Sequence, residues 1–191
     1  MHRTIILIGP EGVGKSSVSD ILSKRLNLPM AFSDYFVRTR INESKKFSTL
    51  KALYYRLVKG FWTFYKYIKP FEADVVVEVL NKTKNGIIDF GAGHSVFDDE
   101  KLFDRVKKAF EPHRFVFLLL PSPDLDKSIK ILNDANPHLL KIKPNITEHF
   151  IKSKCNYELA KYVIYTKDKL FDKVAQEIID IILKEERKKE E

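Results

Sequence analysis

With 191 residues, 44% of them hydrophobic and 31% charged, the chain is long enough to bury a core and too balanced in composition for a disordered polymer. Its one cysteine, Cys155, excludes an internal disulfide, and its longest apolar runs, such as 115–120, fall far short of the roughly 20 residues that cross a bilayer. The formal charge of +8, from 34 Lys and Arg against 26 Asp and Glu, favours anionic ligands, although solvated Lys-rich faces alone would produce the same excess.

In chain order, a β-branched run at 4–8 predicts a first strand, a Gly-rich loop follows it, and Val18, Ile21, Leu22 and Leu26 recur at helical spacing. A second strand is expected at 29–32. The stretch 48–84 is helical for longer than a crossover needs, with Leu50, Leu53, Tyr54, Leu57, Phe61, Phe64 and Ile68 on one stripe, and is expected to form two helices broken near Pro70. A third strand is expected at 86–90. Asp98, Asp99 and Glu100 mark the start of a helix carrying Leu102, Val106, Ala109 and Phe110. After a fourth strand at 114–120, Ser122, Pro123 and Asp124 read as a cap and first turn. Residues 133–147 are irregular, with Pro137 and Pro144 around Lys141 and Lys143. A fifth strand at 162–165 precedes a last helix with Val174, Ile178, Ile181 and Ile182 on one face, and the charged end, 184–191, is expected to fray. Strands alternating with helices predict an α/β fold, three layers α/β/α around a five-stranded parallel sheet, with 1–191 as one domain. The first strand begins with no secretory pattern before it, so the expected location is cytoplasmic.

The loop carries the chemistry. Gly9, Pro10, Glu11, Gly12, Val13, Gly14, Lys15 and Ser16 satisfy the P-loop pattern between a strand and an amphipathic helix, where the mechanism needs it. Glycines let backbone N–H groups turn in on the phosphates, and the helix N-terminus adds partial positive charge. Lys15 reaches the β- and γ-phosphates, Ser16 ligates Mg²⁺, and Ser17 completes the nucleotide-binding set with Gly9, Glu11, Gly12, Val13 and Gly14. Two carboxylates stand at carboxyl ends of predicted strands, where ligands gather in open parallel sheets: Asp34 and Asp89. Asp89, in an apolar strand, is costly to bury unless paired or metal-linked, so it is expected either to serve metal and catalysis or to be a satisfied structural carboxylate. Asp34 either meets the acceptor or caps a helix beginning at Tyr35.

On these residues the chain resembles the shikimate kinase family of small P-loop kinases, built like nucleoside monophosphate kinases. The resemblance runs over nearly the whole length. It includes Ser33 and Asp34 after the second strand, the helix with Lys69, Pro70, Phe71 and Glu72, the loop Gly91, Ala92 and Gly93, and Asn136, Pro137, His138, Leu139 and Leu140 at the irregular stretch. It implies transfer of the ATP γ-phosphoryl group to a small-molecule hydroxyl with Mg²⁺, an acceptor-binding helical region at about 34–84, and a lid at about 133–147. Lys15, Asp34 and Asp89 are then the catalytic set, Ser16 and Asp89 the metal ligands, and Asp34, Lys69, Gly91, Ala92 and Gly93 the acceptor site. The departures bear on the substrate. Phe32 stands where the family has an Asp, and Asp89 where it has a small hydroxyl or apolar residue, as if a metal-linked carboxylate had moved between strands. Lys69 replaces the family's substrate arginine, keeping the charge and losing the bidentate fork. Ser153 stands at a second such arginine, and the lid arginine is Asn136 or displaced by an insertion. Such losses argue against shikimate as the acceptor.

The rivals are a nucleoside monophosphate-type kinase, and a nucleotide-binding regulatory or RNA-associated protein without transfer activity. Cations at 45–69 interleave with Tyr54, Tyr55, Phe61, Trp62, Phe64, Tyr65 and Tyr67, a pattern open to a packed helix pair over the acceptor site, an aromatic substrate pocket, or nucleic acid or membrane contact. His94 is a further candidate to face the acceptor, and Lys141 or Lys143 to replace the lid charge. The expected partners are a nucleotide and a small acceptor, with no nucleic acid and no membrane, in a monomer or homodimer.

Overall fold

The computed structural model describes residues 3–32, 36, 39–41, 43–44 and 46–188. Its elements in chain order are β1 (Thr4–Ile8), α1 (Lys15–Leu26), β2 (Met30–Phe32), α2 (Thr49–Tyr54) with a π-helical turn (Tyr55–Lys59), α3 (Phe61–Lys82), β3 (Gly86–Asp89), α4 (Glu100–Phe110) and β4 (Phe115–Leu120). They continue with α5 (Leu125–Ala135), a 3₁₀ turn (Pro137–Lys141), α6 (Ile146–Lys152), α7 (Lys154–Leu159), β5 (Tyr162–Tyr165) and α8 (Phe171–Arg187).

The strands order as β2-β3-β1-β4-β5, every neighbouring pair parallel. Four strands of four to six residues form the body, and the three-residue β2 lies on the edge beside β3. Every residue of β1 and β4 is buried. Successive strand side chains point to opposite faces, so both faces of the sheet centre are covered, and that requires helices on each. The apolar stripes of the sequence supply them: Val18 and Leu22 of α1, Ala73, Val76 and Leu80 of α3, Val106 and Phe110 of α4, and Val174, Ile178 and Ile182 of α8 all lie in the main core. A second cluster, Tyr65, Val96, Leu139, Ile146 and Phe150, packs where α3 meets the segment after α5.

All the strands run in one direction, so the carboxyl ends of β1, β2 and β3 lie side by side. Leu7 and Phe32 are both register partners of Asp89. Of the two expected helix starts, the first holds, and the second is shifted, its cap being Asp124 and not Ser122. Asp99 accepts from Leu102 N at the start of α4, and Asp124 from Lys127 N at the start of α5.

The expected break near Pro70 is corrected. α3 runs through Pro70 from Phe61 to Lys82, and the long helical stretch divides at Gly60, whose φ of 89° and ψ of 170° no helix accommodates. Pro70 lacks the N–H that would bind the carbonyl of Lys66, but both residues lie on the exposed side of the helix, where water can take that carbonyl.

Candidate functional site

β1 delivers the chain into the loop at Gly9, and α1 begins at Lys15 with Gly14 as its N-cap at φ 97°; no side chain caps it among the described residues. The first N–H groups of α1 therefore face the loop, the arrangement that receives phosphate oxygens. Lys15 is buried. Its ammonium donates to Gly9 O and Pro10 O, both at 2.9 Å, so the charge lies at the floor of the loop. Ser16 and Ser17 follow on the exposed side, as does Glu11, while Val13 is buried in the core.

The structure brings Asp89 to this loop. Ser16 Oγ donates to Asp89 Oδ2 at 2.6 Å, and Asp89 is itself buried at the end of β3. Because Phe32 is its register partner on β2, the carboxylate lies one strand over from the position where the family pattern has an Asp. Asp34 lies outside the described residues.

Two contacts escaped sequence analysis. A Cβ on Gly12 would sit 2.3 Å from Asn136 Nδ2, and one on Gly14 would sit 2.3 Å from Phe171 Cε1. The loop is therefore overhung by Asn136, at the end of α5, and by Phe171, the first residue of α8. His138 Nε2 adds a 3.6 Å contact to Glu11 Oε1 from the same segment. Asn136 was visible as a departure from the lid pattern and His138 only as part of the segment resembling it, and Phe171 carried no signal because nothing in its local sequence relates it to a loop 157 residues away. Lys141 and Lys143 are exposed.

The other proposed acceptor residues gather around the second buried lysine. Lys69, on α3, donates to Glu72 Oε2 at 2.7 Å and to Gly93 O at 2.5 Å, and its ammonium lies 4.3 Å from the Tyr65 ring centre and 4.7 Å from that of Phe97. Burial pulls the Lys69 ammonium below its usual range, opposed in part by Glu72. For Glu72 burial pushes upward, but Lys69 and then His94 outweigh it and hold the carboxyl below its ordinary value. His94 accepts from Gly91 N at 3.2 Å through Nδ1, which turns Nε2 toward Glu72 Oε1 at 3.9 Å. Burial drives the Tyr65 phenol far up, and its hydroxyl donates to Val96 O at 3.3 Å. Ala92 packs against the second cluster, and a Cβ on Gly93 would crowd Lys69 Nζ at 3.3 Å. Lys69, Gly91, Ala92 and Gly93 thus form one connected patch, with Lys69 behind the loop. Ser153, at the second arginine position of the family pattern, is the half-buried junction of α6 and α7.

No family model matches the chain. A shikimate kinase of Acinetobacter baumannii, solved with shikimate, superposes with a TM-score of 0.62 at 18% identity, covering 97% of this chain and 95% of that one. A shikimate kinase of Flavobacterium johnsoniae is 23% identical over 93% of this chain and 98% of its own length. The fold is that of the shikimate kinase-like P-loop kinases. A tRNA dimethylallyltransferase of Mycoplasmoides gallisepticum is also 23% identical over 94% of this chain, which spans only 65% of that longer protein. Equal identity to relatives with different printed activities means that the likeness carries the P-loop architecture and leaves the acceptor open.

Proposed function

We propose that the chain is a single P-loop kinase domain that moves the ATP γ-phosphoryl group to a hydroxyl of a small molecule other than shikimate. The observation that carries it is the 2.6 Å Ser16–Asp89 hydrogen bond beside the phosphate loop. It joins the P-loop hydroxyl to a carboxylate on an adjacent strand, the pair that holds Mg²⁺ in P-loop enzymes. Both donors are hard oxygens, as Mg²⁺ requires. Among the described residues no group of three or more His, Cys, Asp and Glu converges on one point, as fits an ion that takes its other ligands from phosphates and water. Bound there, Mg²⁺ would neutralise charge on the transferring phosphate.

The protein groups divide the remaining work. Lys15 and the N–H groups of α1 hold the phosphates, Asp34 accepts the acceptor's hydroxyl proton as its oxygen bonds to phosphorus, and the bridging oxygen leaves with ADP. Asn136, His138 and Phe171 border the nucleotide. Gly91, Ala92 and Gly93 form the acceptor wall, braced from behind by Lys69. Shikimate is disfavoured because one family arginine position holds Lys69, which lacks the bidentate fork, and the other holds Ser153.

The test is Mg²⁺-dependent ATP consumption against a panel of sugars, hydroxy acids including shikimate, nucleosides and nucleotides, with Lys15→Ala as the blank. One acceptor raising turnover far above the basal rate is the expected result. Tight ATP binding with no acceptor-stimulated turnover would overturn it in favour of a regulatory nucleotide-binding protein.

A further inference from the structure

Residues 44–71 contain seven lysines and arginines and no acid, so this stretch alone carries almost the whole of the protein's +8. Its tip also exposes a run of large apolar side chains. Leu50 is 81% exposed, Leu57 73% and Val58 64%, with Leu53 and Tyr54 about half-exposed. Their spacing, i, i+3, i+4, i+7 and i+8, puts all five on one side of the helical segment formed by α2 and the π-turn. Within 48–60 only Ala52 is buried.

This is an ordered surface. Ser48 N donates to Tyr67 Oη at 2.9 Å, and the ring of Tyr67 takes Tyr55 edge-on at 5.3 Å and stacks with Phe47 at 5.8 Å. The cations lean on rings: Lys51 over Tyr55 and Tyr67, Arg56 over Phe61 and Phe64, Lys59 over Tyr54. Their stems thus widen the apolar surface while the charged heads stay at its rim.

Charge decides what can cover it. A second copy placed face to face would set acid-free cationic rims against each other, so self-association through this face is opposed. Single-stranded nucleic acid needs planar groups on which bases stack, and the most exposed side chains here are Leu and Val. Aliphatic side chains ringed by Lys and Arg are the composition of helices that lie in a membrane interface, where anionic headgroups meet the cations. We infer that the 48–60 segment docks on an anionic lipid surface, with Leu50, Leu57 and Val58 entering the headgroup boundary. This revises the expectation of no membrane partner. The contact lies on the bilayer and not across it, as suits a chain with no helix among its described residues long and apolar enough to span one.

The experiment is co-sedimentation of the full chain with vesicles of phosphatidylcholine alone and of an equal mixture with phosphatidylglycerol. The mixed vesicles are expected to carry the protein down, the neutral ones far less, and high salt to weaken the binding. Leu50→Ser with Leu57→Ser, and separately Lys51→Glu with Lys59→Glu, should each lower partitioning roughly tenfold or more. Both pairs are exposed, so unchanged thermal melting separates lost binding from lost fold. Absence of partitioning overturns the inference, as does undiminished partitioning of the Leu pair. Binding to RNA or to an acidic protein in place of vesicles, abolished by the same Lys pair, also overturns it. No outcome depends on turnover, so the lipid contact and the kinase activity succeed or fail separately.

Discussion

Lys15 under the phosphate loop and Lys69 on α3 are both buried, and they are buried in different ways. Lys15 lies under the phosphate loop with its described hydrogen bonds on carbonyl oxygens, next to the N-terminus of α1. Lys69 is closed in by a carboxylate, a carbonyl and two rings. The loop carbonyls fix where the Lys15 ammonium sits, whereas Lys69 is matched to a carboxylate one turn along its own helix, which neutralises it in place. The uncapped N–H groups at the start of α1 suit the proposed nucleotide end to negative charge, while the proposed acceptor end is braced by its own ion pair.

Substitution breaks this comparison most sharply at Lys69. Lys69→Met leaves Glu72 buried without its partner and is expected to cost about 3–5 kcal/mol in urea unfolding, while Lys69→Met with Glu72→Leu recovers most of it. Equal destabilisation of the single and double variants would show that Lys69 does more than brace. Lys15→Ala is expected to do the reverse, lowering turnover by about 10²–10³-fold with little change in the melting temperature. Asp89→Asn should cost turnover on the same scale and weaken its Mg²⁺ dependence; if it left both unchanged, the carboxylate would be structural. Gly14→Ala is smaller in stability, about 1–2 kcal/mol for a positive φ, and should also loosen nucleotide binding because its methyl meets Phe171.

The smallest effect is in pH. Folding depresses the Glu72 pKa below the ordinary 4.5, so the unfolded chain binds its proton first as pH falls. The stabilisation is fully present above about 4.5 and is lost as pH drops through the lower folded value. Urea midpoints of the native protein should therefore fall more steeply below that pH than those of the Lys69→Met, Glu72→Leu variant, and parallel curves would remove Glu72 from the acid transition.

Much of the phosphate loop's geometry was legible in the residues because it depends on backbone: a strand, glycines, a lysine and a helix start all lie within a short contiguous run, and local spacing reports local geometry. The helix faces that cover the sheet were legible for the same reason, as apolar periodicity. The Pro70 error has the same root in reverse, since a local rule for proline was applied where tertiary packing of Ala73, Val76 and Leu80 holds the helix through it. Only the tertiary structure decided that Phe32 and Asp89 are register partners, that Ser16 bonds Asp89, that Phe171 and Asn136 overhang the phosphate loop, and that Lys69 faces inward to Glu72 and Gly93. Apart from the i,i+3 pair Lys69–Glu72, these are contacts between residues 24 to 157 positions apart, whose free energy is gained only once the sheet is assembled, so no local pattern in the chain records them.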